Sequence, residues 1–283
     1  MNILSIQSTV ALGHVGNSAA VLPLQRLGFE VWPIATAMLA HHPGHGTWRG
    51  RVSTPGEIAT MLDGIDARGG FVACDAVLSG YLADRSLGVH LLDAVRRIRT
   101  ANPSGVYCCD PVMGDAEKGF FVHPDIPAFF RDEALPAADI LVPNTFELAY
   151  LTGRPVDGPE SAYAAARLLL TRGPRLVVVT GVERETRGRR QIGALAVEHR
   201  RALYAEAPWI EAPASGAGDL FAALFLGHYL KSRRLTKALS YAVSGVHGVM
   251  VATKATRSDE LALVAAQDAF TKPKRLFKAS KMR

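Results

Sequence analysis

The stretch Glu211-Ala-Pro-Ala-Ser-Gly-Ala-Gly-Asp-Leu-Phe-Ala-Ala-Leu-Phe-Leu-Gly-His-Tyr-Leu230 sets Gly216-Ala217-Gly218-Asp219 directly against a run too apolar to face water. Two readings stand. In one, a glycine turn precedes a buried helix, and Asp219 is a helix-start acid favoured by the dipole. In the other, small residues let a phosphate approach the backbone, where the unpaired N–H groups of the helix start hold it. No Lys-Ser/Thr pair follows, which excludes a Walker A loop.

Outward from that helix, the chain alternates short apolar strands with helical segments. Strand patterns fall at Asn2–Gln7, Val31–Ile34, Ala76–Ser79, Val106–Cys109, Ile140–Val142 and Leu176–Val179. Helical spacing covers Ala19–Leu27, Ile58–Asp66, Leu87–Thr100, Glu147–Leu151, Ser161–Thr171, Leu220–Lys231 and Leu235–Lys254. Ala194–Val197 and Ala202–Ala205 read as a hairpin. The pattern predicts an α/β fold, a mostly parallel central sheet with helices on both faces. No linker, repeat or low-complexity tract interrupts it, so residues 1–283 are expected to form a single domain. In such a sheet, ligands bind beyond the carboxyl ends of the strands.

The bulk numbers exclude several classes. With 48% hydrophobic and 20% charged residues, the chain is not disordered. The N-terminus lacks a basic n-region and a small-residue cleavage pattern, so no signal peptide is expected. No apolar run reaches the ~18–20 residues of a membrane span, so no membrane partner is expected. Cys74, Cys108 and Cys109 form no disulfide framework or metal spacing, and point to buried thiols in a reducing cytoplasm. The net charge of +6 raises the question of nucleic acid. The excess lies in the basic tail 272–283 and in the loop Arg184–Arg190, with no nucleic-acid-binding motif beside either. A solvated surface is the expectation there, and attraction of a polyphosphate the alternative.

The residues after each strand carry the chemistry. Strand one leads into Ser8-Thr-Val-Ala-Leu-Gly-His-Val-Gly-Asn17. It has no G-x-G-x-x-G, and Glu30 precedes the second strand instead of ending it, so a dinucleotide site is not expected. Either Asn17 caps the next helix, or Ser8 presents a hydroxyl to a small polar ligand. Strand two leads into Leu39-Ala-His-His-Pro-Gly-His45. His41, His42 and His45 lack an acid or cysteine to complete a metal site, which favours one histidine meeting a ligand. Asp110-Pro111 is a turn starter, or a carboxylate placed to hold hydrated Mg²⁺. Asn144 and Glu147 have capping-box spacing, and Glu147 beside Asp110 is also a second carboxylate for metal.

Together these residues resemble the ribokinase-like small-molecule kinases, and within them the pyridoxal kinases. The likeness covers nearly the whole chain. It rests on Ser5-Ile-Gln-Ser8, Gly13-His-Val-Gly-Asn17, Asp75-Ala-Val-Leu-Ser-Gly-Tyr81, Cys109-Asp-Pro-Val-Met-Gly114, Pro143-Asn144 with Glu147, Gly216-Ala-Gly-Asp219 and Val251-Ala-Thr-Lys254. The resemblance implies a ribokinase-like sandwich and ATP-dependent phosphorylation of the 5′-hydroxymethyl group of pyridoxal and related B6 vitamers. It makes Asp219 the general base and the amides of Gly216, Ala217 and Gly218 an anion hole. Asp110 and Glu147 would position Mg²⁺ and phosphates, with Val142, Asn144 and Thr180 on the nucleotide side. Ser8, Leu39, His42, Pro43, Gly44 and Tyr81 would form the vitamer pocket. Such enzymes are homodimers, and a monovalent cation is a further expected cofactor.

The chain departs from that pattern in places. Thr9 stands where a histidine follows Ser-Ile-Gln-Ser, and Val142 where threonine or alanine is common. The vitamer loop, often Phe-Ser-Asn-His-Thr, reads Leu39-Ala-His-His-Pro43, and the connection before Ala214 is short. A ring and a hydroxyl are thereby missing from the expected pocket. Two alternatives stand beside this: a hydroxymethylpyrimidine kinase, since both substrates offer a hydroxymethyl group on a flat nitrogen heterocycle, and a non-catalytic vitamer-binding protein on the same fold, which the loop substitutions motivate.

Overall fold

A computed structural model describes residues 1–47, 49–213 and 215–282. Ala214 and the terminal Arg283 of the basic tail therefore lie outside the described residues. The first strands are β1 (Asn2–Val10), β2 (Glu30–Leu39), β3 (Gly50–Val52), β4 (Cys74–Ser79), β5 (Val106–Cys109) and the short pair β6 (Gly114–Asp115) and β7 (Gly119–Phe120). They are followed by β8 (Ile140–Leu141), β9 (Leu176–Thr186), β10 (Arg189–Glu198), β11 (Arg201–Pro208) and β12 (Ser280–Lys281). Ten strands form one sheet in the order β12-β11-β10-β9-β8-β5-β4-β1-β2-β3, and β6 pairs with β7 apart from it.

From β2 through β1, β4, β5 and β8 to β9 all neighbours are parallel. The flanking pairs on both sides are antiparallel. The chain leaves β1 toward β2 and then returns to β1's other side as β4. That reversal is a switch point, and it opens a crevice above the carboxyl ends.

The helices are α1 (Asn17–Arg26), α2 (Pro55–Ala67), α3 (Gly70–Ala73), α4 (Arg85–Ala101), α5 (Asp125–Phe129), α6 (Leu135–Ala137), α7 (Thr145–Thr152), α8 (Pro159–Leu169), α9 (Ala217–Ser232) and α10 (Leu235–Thr256). Local signals set their starts. Thr54 and Glu57 form a capping box with Pro55 at the first turn of α2, and Asp84 accepts from the Ser86 N–H to cap α4.

Alternate strand residues feed two separate cores. Ala76 and Leu78 of β4 join Leu176 and Val178 of β9 beneath α1, α9 and α10. Val77, Tyr107, Val177 and Val179 face the opposite side, against α2, α4, α7 and α8. Near-continuous apolar strands are what a sheet covered on both faces requires. Helix α9 is apolar all round because α1 and α10 both pack on it; every residue from Leu220 to His228 is buried. Phe221, Phe225 and Tyr229 stack along one side, with centroids 6.1 and 5.9 Å apart.

Three expectations need correction. Residues 184–190 are not a loop: β9 and β10 continue through them and turn only at Arg187-Gly188, both at positive φ. Two such residues suit a two-residue hairpin turn. Arg184 pairs with Glu206 at 2.6 Å, and Arg190 pairs with Glu183 at 2.9 Å while its guanidinium lies 3.8 Å from the Trp209 ring centroid. Asn17 does not cap α1, whose cap residue is Gly16. Finally, Glu30 opens β2, paired with Asn2, where the sequence placed it ahead of the strand.

Candidate active site

A cavity of about 400 Å³ opens above the carboxyl ends of β1, β2, β4, β5 and β8, beside Thr180 midway along β9. On the expected vitamer side Ser8, Leu39, His42, Pro43, Gly44 and Tyr81 all line it. On the expected nucleotide side, Asp110, Val142, Asn144, Glu147 and Thr180 do the same. Gly216, Gly218 and Asp219 close it from the start of α9; Ala217 begins that helix without lining the cavity.

The start of α1 is held to β1 and β2 by a layer of buried amides and hydroxyls. Asn17 Oδ1 accepts from Ser5 Oγ at 2.8 Å, and Ser5 Oγ accepts from Gln7 Nε2 at 2.9 Å. Asn17 Nδ2 donates to the carbonyls of Gln7 and Ile34. Within Ser5-Ile-Gln-Ser8, Ser5 and Gln7 thus tie β1 to α1, Asn17 carries the link on to β2, and Ser8 lines the cavity. Gly16, at φ 54°, crosses over Ser8 so closely that a Cβ would overlap the Ser8 carbonyl oxygen.

The rim turn at α9 has the geometry of an anion site. Gly216 is left-handed at φ 87° and caps the helix without any side-chain hydrogen bond. A Cβ at Gly218 would meet no atom within 4 Å, so its backbone is open to close approach.

Three carboxyl groups converge here. Asp110 and Glu147 are buried, at 6% and 3% exposure, and Asp219 is half-buried. Desolvation pushes Asp110 well above the ordinary carboxylate range, and the charges of Glu147 and Asp219 add to it. Glu147 is likewise raised by burial, against backbone N–H donors from Asn144, Met113 and Gly114 that hold it down. Burial raises Asp219 to about 6, opposed chiefly by the Gly16 N–H. No ion pair reaches any of the three among the described residues.

Asn144 and Glu147 do form the capping box of α7. Asn144 Oδ1 accepts from the Glu147 N–H at 2.9 Å, and Glu147 Oε2 accepts from the Asn144 N–H at 2.8 Å. Glu147 Oε1 accepts from the Met113 N–H at 3.0 Å. The Asp110 carboxylate accepts no hydrogen bond among the described residues, so its oxygens are free for a ligand. That donor set fits Mg²⁺, which favours one or two carboxylates plus phosphate oxygens over a full protein cage. Among the described residues no three His, Cys, Asp or Glu side chains are arranged as such a cage.

The histidines of the second loop divide their contacts. His41 Nδ1 meets the His42 carbonyl, and His45 Nε2 meets Glu260. His42 Nδ1 accepts the Gly44 N–H at 3.0 Å, which leaves the ring proton of the neutral imidazole on Nε2. Burial, and then the Lys118 charge, lower its pKa.

Sequence reasoning missed several lining residues, among them Val15, Gly16, Asp115, Lys118, Phe121 and Ser215. Asp115 and Lys118 sit on the β6–β7 hairpin, where Asp115 Oδ1 accepts the N–H groups of Glu117 and Lys118. The turn-rich Gly114–Gly119 run, just beyond Asp110-Pro111, was the available signal.

Comparison with known proteins gives a consistent result. A model of the family described as phosphomethylpyrimidine kinase matches residues 65–261. The pyridoxal kinase PdxY of Rubrobacter xylanophilus is 50% identical over 274 residues, 96% of this chain and 94% of that protein. Its counterpart in Deinococcus radiodurans is 45% identical, covering 99% and 96%. Among solved structures, the pyridoxal kinase of Leishmania donovani in complex with ADP and pyridoxamine superposes with a TM-score of 0.93. It is 28% identical and covers 100% of this chain and 99% of that one.

Proposed function

The chain belongs to the phosphomethylpyrimidine kinase family, among its pyridoxal kinases, and phosphorylates the 5′-hydroxymethyl group of pyridoxal with ATP; we propose that Asp219 is the base of that transfer. The observation that carries the assignment is the convergence of an uncapped glycine turn and three carboxyl groups on one cavity.

Phosphoryl transfer needs positioning and charge neutralisation more than covalent chemistry. The 5′-oxygen bonds to the γ-phosphorus, the bridging oxygen leaves with ADP, and the hydroxyl proton passes to Asp219. An ordinary aspartate, with a pKa of about 3.9, is a weak base for this purpose. Burial brings Asp219 to about 6, nearer the working pH. It aims the hydroxyl and takes the proton late, as the new bond forms. The amides of Gly216 and Gly218, the two residues of the turn that line the cavity, face the charge that develops on the transferred group. Asp110 would hold Mg²⁺ directly, and Glu147, whose oxygens already accept N–H groups, would do so through water. When bound, the ion would neutralise phosphate charge. A monovalent cation beside the nucleotide belongs to the same proposal.

On the vitamer side, Ser8, the His42 Nε2–H and the Tyr81 hydroxyl offer polar contacts to the ring substituents. Leu39 and Pro43 supply apolar cover. Val142, Asn144 and Thr180 frame the nucleotide side.

A homodimer is also proposed. Edge strand β3 is exposed throughout; its Val52 is 40% exposed, and Met38, paired beside it, and Leu12 are 46% and 66% exposed. A second copy would cover that apolar edge. Among the described residues no helix is long and apolar enough to cross a membrane. The three buried free thiols suit a reducing compartment, which supports the cytoplasm.

The test is ADP release with Mg²⁺ across pyridoxal, pyridoxine, pyridoxamine and hydroxymethylpyrimidine. Pyridoxal should have the highest kcat/KM. Equal or reversed preference for hydroxymethylpyrimidine would sink the assignment, and vitamer binding without turnover would make the protein a carrier.

A further inference from the structure

Glu260 lies in the segment after α10 and touches two parts of the site at once. Its Oε1 meets His45 Nε2 at 2.7 Å, and its Oε2 accepts the His14 N–H at 3.3 Å. A Cβ on Gly13 would overlap the Glu260 carboxylate, so the glycine is what lets the loop come this close. The segment is itself held. Ser258 Oγ accepts the Glu260 N–H at 3.0 Å, and Thr253 Oγ1 accepts the Ala262 N–H at 2.9 Å.

Neither His45 nor Glu260 lines the cavity; both stand behind residues that do. The His45 ring meets His42 edge-on, with centroids 6.3 Å apart, and His42, Pro43 and Gly44 form the vitamer-side wall. In the other direction, the His14 carbonyl abuts Gly216 at the start of the helix that carries Asp219. One carboxylate, 17% exposed, therefore joins the turn at Pro43–His45 to the loop that bears on the base.

We propose that Glu260 is a positioning residue that ties the Pro43–His45 turn to the loop 13–16, so that the vitamer wall and Asp219 are set as one unit. The proposal rests on the reading of Asp219 as base. A carboxylate serves both contacts with His45 as an Nε2–H donor, since its two oxygens each accept an N–H. A glutamine keeps the pair only if the His45 ring proton moves to Nδ1 so that Nε2 accepts from the NH₂, and it loses the charge-assisted bonds in either case. A displacement of 1 Å at a reacting centre costs up to about 10²-fold in rate, so a small loosening of this link is measurable.

The test is a double-mutant cycle on the full-length enzyme. It uses Glu260→Gln, His45→Leu and their combination, with His45→Gln as the variant that keeps an N–H at nearly the same reach. The readouts are kcat and KM for pyridoxal, ADP affinity and melting temperature. Glu260→Gln and His45→Leu should each lower kcat/KM about tenfold with ADP affinity unchanged, and the double variant should lose little more than the worse single. His45→Gln should recover most of the loss. The proposal is overturned if both singles stay within about twofold of wild type, or if their losses multiply in the double variant. Should Glu260→Gln fail to fold, the contrast between His45→Leu and His45→Gln, at a 40% exposed side chain, still decides. Asp219→Asn is measured separately: turnover surviving there removes the base assignment, and leaves the coupling between His45 and Glu260 to be judged by the cycle.

Discussion

The backbone of Gly216 lies directly against the carbonyl oxygen of His14, with no room between them for a Cβ. The turn that starts α9 is thereby braced by the loop after β1. Gly216 also sits at φ 87°, which costs an L-residue about 1–2 kcal/mol before any clash. Gly216→Ala should therefore lower both the melting temperature and kcat. Gly218→Ala should leave the melting temperature unchanged and lower kcat alone, since its methyl meets no protein atom and occupies the approach to the amides. Thermal melts and ADP-release rates on the two variants check this contrast. Equal loss of stability in both would contradict it.

The buried network of Ser5, Gln7 and Asn17 makes a prediction about stability. Asn17 is 4% exposed and partners Ser5 and two carbonyls. Asn17→Ala leaves buried polar groups unpaired, at about 1–3 kcal/mol each. Denaturant unfolding should show a loss in that range or above. A loss below about 0.5 kcal/mol, the surface-substitution range, would mean the network carries little.

Metal-free stability should depend on pH in a specific direction. Asp110 and Glu147 hold protons in the folded state that the unfolded chain releases above about pH 4. Their contribution is present at low pH and is lost as pH rises through their raised folded values. The buried His228 and the half-buried His42 and His247 are lowered and act in the opposite sense, but only below about pH 6.5. Between about pH 6.5 and 8, the melting temperature in EDTA should fall with pH. Mg²⁺ should raise it most at the upper end, and Asp110→Asn should flatten the slope. A rise with pH in EDTA would contradict the reading.

The acid limb of activity follows from the base. A protonated Asp219 cannot accept the hydroxyl proton, so kcat/KM for pyridoxal should fall as pH drops through about 6. A rate that stays flat down to about pH 4.5, close to the ordinary aspartate range, would place the base elsewhere.

Much of this was legible along the chain because the signals are local. Strand β5 is Val106–Cys109, as its apolar run and the Asp110-Pro111 stop suggest. The capping box at Asn144 and Glu147 follows from a spacing of three. Strand β1 runs on to Val10 because backbone pairing with Met38 and Leu39 outweighs the polar look of Ser8-Thr9. The charges of residues 184–190 suggest a loop; their cross-strand partners Glu206 and Glu183 allow strands instead. Asn17 reads as a cap from its position, and becomes a buried hub only when β2 brings the Ile34 carbonyl to it. The contact between His45 and Glu260 spans 215 positions, so no local pattern could carry it.

The proposed role of Asp219 as proton acceptor is measured by single-turnover phosphorylation of pyridoxal by Asp219→Asn, with ADP affinity determined on the same preparation. The rate should fall about 10²–10⁴-fold with ADP affinity unchanged. A rate within a few-fold of wild type would contradict it.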